Sequence, residues 1–150
     1  MMPTISFFVQ GIPKGQPRPR AFARKIGGKF VARVYDAGTA EAWKSNIAVN
    51  SKPYIPATPL ELPLMVALRF YMPRPKSHFG KKGLKESAPQ IFVHKPDCDN
   101  LAKAVLDALT QLGFWKDDCQ ITTLNIKKRY ATYYAGTTGV SIEIKEDSES

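Results

Sequence analysis

An α+β fold in a single domain is expected from three features of the sequence. Several stretches alternate apolar and polar residues with the period of a strand. Two well-separated stretches carry apolar residues at helical spacing, one of them long. Strands fall in runs instead of alternating regularly with helices. The 150 residues are enough for one real core.

Taken in order, residues 3–10 read as a strand with Ile5, Phe7 and Val9 on one side and Phe8 on the other. Gly11 to Arg20 is punctuated by glycine and proline and cannot be regular structure. Residues 21–35 suggest a hairpin turning at Gly27-Gly28. Residues 37–50 form a helix candidate, with Ala40, Trp43 and Ile47 as its buried stripe and Asp36 or Thr39 as cap. The stretch 52–63 holds four prolines and is a connector, too short to separate two cores. In 64–72, Leu64, Val66, Leu68, Phe70 and Met72 make one face of a half-buried strand. Residues 73–90 lack periodicity and are rich in Lys, Gly and Pro, which predicts a long mobile basic loop. Residues 91–94 read as a short strand, and 121–131 as a strand that turns basic at Lys127-Lys128-Arg129. A turn at 136–139 precedes a one-sided strand with Val140, Ile142 and Ile144 inward. The acidic tail 146–150 is expected to fray. One domain over 1–150 follows.

Charge narrows the function classes. There are 22 Lys+Arg against 13 Asp+Glu, a net charge of +9. That balance fits a polyanionic partner, nucleic acid or an anionic membrane. No apolar run approaches the roughly 20 residues of a spanning helix, and the first residues lack the basic start and long apolar stretch of a signal peptide. A cytoplasmic, nucleic-acid-binding protein is the expectation. Two cysteines make no disulfide framework. A zinc site built on Cys98, Cys119 and His94 lacks a fourth ligand and any C-x-x-C pair. Cys98 is expected as a small core residue.

Residues 95–120, KPDCDNLAKAVLDALTQLGFWKDDCQ, carry the chemistry. Leu101, Ala104, Val105, Ala108 and Leu112 form one apolar stripe of an amphipathic helix. Asp99 is the N-cap candidate and Gly113 the stop. If 95–99 is extended, Asp97 and Asp99 project to one side about 7 Å apart. Lys103 lies one turn on, a rise of about 6 Å, so its ammonium can swing back over the same face. Asp117 and Asp118 follow the helix. Carboxylates at this density suit a hard, oxygen-seeking cation, Mg²⁺ with Mn²⁺ as a substitute. The same residues could instead be only caps and a turn.

The pattern D-x-D-N-L-x-K-A-x-x-D-A-L-x-x-x-G-F-W-x-D-D-x-Q resembles the core of the RusA-type Holliday junction resolvases. The opening GIPKGQPRPR is similar to N-terminal segments of phage and prophage members. The resemblance implies a mixed sheet with helices packed on it, assembled as a homodimer. It implies a Mg²⁺-dependent endonuclease acting on four-way DNA junctions without an organic cofactor. By residue, the catalytic set falls on Asp97, Asp99, Lys103 and Asp118, and the metal ligands on Asp97, Asp99, Asp118 and Asp117, the last in the adjacent, more variable acidic position. Cys98 and Cys119 are not part of the family pattern.

Two acid-free stretches are the candidate DNA surface. From Met1 to Tyr35 there is no acidic residue, and Lys14, Arg18, Arg20, Arg24 and Lys25 lie within it; between Glu61 and Glu86 lie Arg74, Lys76, Lys81, Lys82 and Lys85. Proline-stiffened arginines beside a hairpin present a fixed phosphate-binding edge. A homodimer also suits the substrate. One acidic cluster per chain makes one nick, and a two-fold dimer sets two sites about the junction's own two-fold axis. Phe114, Trp115, Tyr130, Tyr133 and Tyr134 are candidates for its apolar patch. Two other classes stay open: a nuclease of wider scope acting on forks, flaps or RNA, and a non-catalytic basic binding protein.

Overall fold

The computed structural model describes residues 2–16, 20–26, 29–35, 39–131 and 138–148; for 20–26, 29–35 and Thr39 the backbone alone is described. In chain order the elements are β1 (Ile5–Gln10), β2 (Arg20–Ile26), β3 (Lys29–Tyr35), α1 (Thr39–Ser51), β4 (Leu64–Met72), β5 (Phe79–Gly80), β6 (Gly83–Leu84), α2 (Cys98–Leu112), β7 (Ile121–Tyr130) and β8 (Gly139–Glu146). The class is α+β in a single domain, as expected.

The main sheet has the order β1-β8-β4-β7. It is mixed: β4 runs antiparallel to β8 and parallel to β7, and β1 runs antiparallel to β8. Every second residue of β4 from Leu64 to Met72 is buried, which the alternation predicted. The same holds for Val140, Ile142 and Ile144 in β8 and for Phe7 and Val9 in β1, while Phe8 faces out. Over this face lie the two helices. α2 buries Leu101, Ala102, Ala104, Val105, Ala108 and Leu109; α1 buries Ala40, Trp43 and Ile47 and packs on α2 and β1. Truncating a fully buried side chain here, such as Leu101→Ala, costs about 2–5 kcal/mol.

Because β4 and β7 are parallel, the chain must return between them, and α2 is that crossover. It therefore runs antiparallel to both strands. Its N-terminus stands where β4 and β7 end, and its C-terminus where they begin.

β2 and β3 form the expected hairpin, paired from Arg20↔Tyr35 to Ile26↔Lys29. The Gly27-Gly28 turn and the proposed Asp36 cap lie outside the described residues, as do Tyr133, Tyr134 and the turn from Gly136. Two expectations change. Residues 91–94 form no strand: Ile91 makes one bridge to Arg129, and Ile91 and Val93 are exposed. After that one bridge to β7 these residues lead the chain on to α2. Phe114, Trp115 and Tyr130 are buried in the chain's own core and are not surface for a partner. Within 73–90, a short 3-10 turn at Lys76–His78 and the β5–β6 hairpin give local structure. At the other end, Asp147 N–H bonds to Pro63 O at 2.9 Å, and its carboxylate accepts from the Thr122 and Thr123 hydroxyls at 2.7 Å each.

Candidate active site

The first half of the acidic set stands at the N-terminus of α2. The helix begins at Cys98, so the N-cap is Asp97 and not Asp99. Asp97 is extended (φ −72°, ψ 156°), its carbonyl accepts the first helical bond from Leu101 at 3.1 Å, and its carboxylate makes no capping bond. Asp99 lies in the first turn. The reason for the shift is Pro96. The residue before a proline avoids the helical region, while a helix can start directly after it, so 95–99 is not one extended run. Both carboxylates still lie at the positive end of the helix dipole, which favours anionic side chains.

Long-range contacts hold this entry. Lys128 on β7 donates to His94 O at 2.8 Å and to Pro96 O at 2.9 Å, and its ammonium lies 5.3 Å from the centre of the Phe92 ring. On the other side Gln16 N–H donates to Asn100 O at 2.9 Å. Gly15 lies so close that a Cβ there would come within 3.0 Å of Pro96 Cβ and 3.2 Å of Asn100 Cβ. Gly15 and Gln16 are thus packed on the entry and first turn of α2. Lys103 is mostly exposed, its ammonium 3.8 Å from Asp107 one turn further on.

The second half stands at the other end. Gly113 takes the left-handed conformation (φ 86°) and closes α2 with bonds to Leu109 O and Thr110 O. Thr110 Oγ1 donates to Leu106 O at 2.7 Å and accepts from Trp115 Nε1 at 2.8 Å. Asp117 then caps a 3-10 turn over Asp118–Gln120. Its carboxylate accepts Cys119 N–H at 2.9 Å, while Gln120 Oε1 accepts Asp117 N–H at 2.9 Å, a reciprocal capping box. Gln120 Nε2 donates in turn to Leu60 O at 2.8 Å and to Leu62 O at 3.2 Å. The Cys119 backbone bond holds the Asp117 carboxyl below the usual range, and that carboxylate pushes the Cys119 thiol up. Asp118 is the first residue of the turn. Cys98 is half-buried and Cys119 exposed, both as free thiols.

Fifteen residues at 1.5 Å each separate the two halves by about 22 Å. The expected convergence of Asp97, Asp99 and Asp118 does not occur within one chain. Among the described residues no group of three or more His, Cys, Asp or Glu side chains is placed to hold a metal ion.

The basic candidates divide. Lys14, Lys76, Lys81, Lys82 and Lys85 are exposed. Arg20, Arg24 and Lys25 lie on β2, and Arg18 lies outside the described residues. Arg74 is committed inside the protein: its guanidinium donates to Ala131 O at 2.7 Å, Pro89 O at 2.8 Å and Gln90 Oε1 at 3.1 Å, and stands over the Tyr130 ring. His78, beside Arg74, has its pKa lowered by desolvation and by the charges of Arg74 and Lys85. Sequence reasoning missed Lys128 and Gln120 as positioning residues. Lys128 shows as part of a basic run, but its partners are 32 and 34 positions away.

The family model of endodeoxyribonuclease RusA matches residues 10–145. The chain belongs to the RusA family. Over 150 residues it is 34% identical to an uncharacterized protein, YqaN, of Bacillus subtilis (strain 168), covering 98% of this chain and 99% of that one. It is 27% identical over 100 residues to the crossover junction endodeoxyribonuclease RusA of Escherichia coli (strain K12), covering 67% of this chain and 68% of that one. The same identity and coverage relate it to the RusA crossover junction endodeoxyribonuclease of Enterobacteria phage 82. This is a family of hydrolytic nucleases acting on DNA. No helix among the described residues is long and apolar enough to cross a membrane.

Proposed function

We propose that the chain is a structure-selective endonuclease that resolves four-way DNA junctions by paired symmetric nicks, working as a homodimer with Mg²⁺ or Mn²⁺. The observation that carries this reading is the family match over 10–145, which spans the whole acidic motif from Asp97 to Asp118. Relatives in that match bear the name crossover junction endodeoxyribonuclease.

The donor chemistry of Asp97, Asp99 and Asp118 suits a hard divalent cation, although a single chain does not assemble the three. When bound, such a cation supplies activation of water and charge neutralisation at the scissile phosphate. Asp97 and Asp99 offer carboxylate oxygens at the helix N-terminus. Asp117 is engaged in its capping box and orients the turn that presents Asp118. Lys103, held only loosely by Asp107, is the charge that can offset the extra negative charge of the transition state. Lys14, Lys76, Lys81, Lys82 and Lys85, with the arginines and lysine of 18–25, meet the phosphates of the junction arms. The setting is the cytoplasm of a bacterium or a phage-infected cell.

The test is a nicking assay on synthetic four-way junction, fork, flap and linear duplex, each with Mg²⁺ or with EDTA. Junction cleavage in Mg²⁺, lost in EDTA, is expected. Equal cleavage of forks and flaps would widen the substrate class. Binding without cleavage in any metal would leave a basic binding protein.

A further inference from the structure

We infer that the β5–β6 hairpin is a substrate-reading arm: the Phe79 ring stacks on a base face left open at a DNA branch point, while Lys81, Lys82 and Lys85 hold the phosphates around it. This rests on the four-way junction as substrate, and it adds how a junction is told from linear duplex.

The segment that carries the hairpin is braced at its root. One guanidinium ties its two ends together. Arg74 donates to Pro89 O at 2.8 Å, to Gln90 Oε1 at 3.1 Å and to Ala131 O at 2.7 Å, and its Nη1 lies 3.2 Å from His78 Nδ1. Tyr130 N–H bonds to Gln90 O at 2.8 Å, and Lys85 N–H closes the neck on His78 O at 2.9 Å. A loop already held in one shape loses less freedom when a ligand binds it.

The arm carries two kinds of group. Phe79 is opposite Leu84 and Gly80 opposite Gly83, with Lys81 and Lys82 at the turn. Opposed residues of a strand pair project from one face, so Phe79 and Leu84 share a face, and Phe79 is 39% exposed. Lys81, Lys82 and Lys85 are exposed, and none is paired with an acid among the described residues. The stem of Lys85 lies along Gly80, where a Cβ would be 3.7 Å from Lys85 Cγ. A single exposed phenylalanine is ordinary on a protein surface. Among unpaired lysines on a braced hairpin it has the make-up of a nucleic-acid contact, a ring for a base beside cations for the backbone.

The root stands at the end of the sheet where α2 begins with Asp97 and Asp99. Rings connect the two. The His78 ring meets Tyr130 edge-on at 4.8 Å, Tyr130 meets Phe92 at 5.1 Å, and Phe92 meets His94 at 5.6 Å. His78 precedes Phe79, and His94 is three residues before Asp97. One nucleotide spans about 3.4 Å along a strand, so a few nucleotide steps cover the distance from the acidic pair to the arm.

The branch itself supplies the selectivity. Inside a linear duplex every base is covered on both faces, and a ring enters only by unstacking a step, which costs free energy. Where the arms of a junction part, a base face is uncovered and the ring stacks on it directly.

Fluorescence anisotropy in metal-free buffer, where cleavage plays no part, compares a four-way junction with a linear duplex of the same arm sequence. Phe79→Ala should weaken junction binding by about 5- to 150-fold, the range for losing one stacked base, and leave duplex binding unchanged. Phe79→Trp should restore the junction affinity; Phe79→Leu, apolar but without a ring face, should not. Joint replacement Lys81→Ala and Lys82→Ala should weaken both DNAs alike and lower the salt slope by about 0.9 per lost phosphate contact. Melting temperatures should stay near the wild-type value throughout, because these side chains are exposed. 5-Bromodeoxyuridine at the branch should photo-cross-link to the peptide holding Phe79, and the same base in mid-arm should not. A wild-type preference for the junction that survives Phe79→Ala, an equal loss on both DNAs, or rescue by Phe79→Leu overturns the stacking arm and leaves the junction reading standing. A wild type that binds both DNAs alike refutes the junction reading, and the role of the arm with it.

Discussion

The two ends of α2 carry similar carboxylate pairs but hold them by different means. At the C-terminal end the acidic turn is closed by local bonds. Asp117, Cys119 and Gln120 bond to one another, and the closed turn is docked on 60–62: Leu60 N–H donates to Phe114 O, Lys116 N–H to Leu60 O, and the Gln120 amide to Leu60 O and Leu62 O. At the N-terminal end the ties come from far along the chain: Lys128 on β7 grips two carbonyls of the entry, and Gln16 bonds to Asn100. A locally capped turn keeps its shape wherever it is carried. An entry clamped by remote groups keeps its shape only while the sheet and the basic N-terminal segment are in place. The N-terminal pair is thus the half whose geometry responds to the rest of the molecule.

The largest effects test whether both ends belong to one reaction. Asp97→Asn, Asp99→Asn and Asp118→Asn should each lower junction cleavage by more than about a hundredfold while junction binding persists in a gel-shift assay. Wild-type cleavage in one of them removes that residue from the set.

Next is Lys103. As a charge stabiliser its loss should slow single-turnover cleavage by about 10²–10³-fold, with the melting temperature nearly unchanged. As a helix pair with Asp107 it is worth only about 0.2–0.5 kcal/mol. A lowered melting temperature with an intact rate per folded molecule would favour the pair.

Lys128→Met should separate the ends. It leaves the His94 and Pro96 carbonyls without their donor, so cleavage should fall by about 10–100-fold, as for other residues that orient ligands. Hydrogen exchange should rise at the amides of 97–101 and not at 117–120. Equal protection at both ends would show that the remote clamp is dispensable.

The smallest effect is at Asp117. Its carboxyl lies below the ordinary 3.8 because it accepts the Cys119 N–H. Folding therefore favours its charged form. That contribution is present above the unfolded value and is lost as pH falls through the lower folded value. Asp117→Ala should lower the melting temperature slightly at pH 7, and the difference should vanish in acid.

The fold was largely legible because its core is written in local periods. The stripe of α2, the alternation of β4 and β8 and the stop at Gly113 depend on near neighbours. What could not be read depends on tertiary placement. Residues 91–94 have strand-like composition, but they leave the edge of β7 after a single bridge at Ile91. Phe114 and Trp115 looked available for a partner because the sequence does not show that the core closes over them. The acidic motif was legible as a set of residue types. Its division between the two ends of a helix was legible from the apolar stripe between the pairs; the remote groups that hold each end, Lys128 and Gln16 at one and Leu60 at the other, were not.

The strand order bears on how the chain is made. β8, the last of these strands in chain order, is inserted between β1 and β4, and Ile5 pairs with Ile144. Until β8 leaves the ribosome, β1 has no neighbour in the sheet and the centre of the sheet is open. Pairings so distant in sequence carry a high closure entropy and form late. The nascent chain therefore leaves one edge of β4 unpaired until β8 emerges. A frameshift or stop codon shortly before Gly139 would remove the strand that joins β1 to β4, leaving a fragment prone to aggregation.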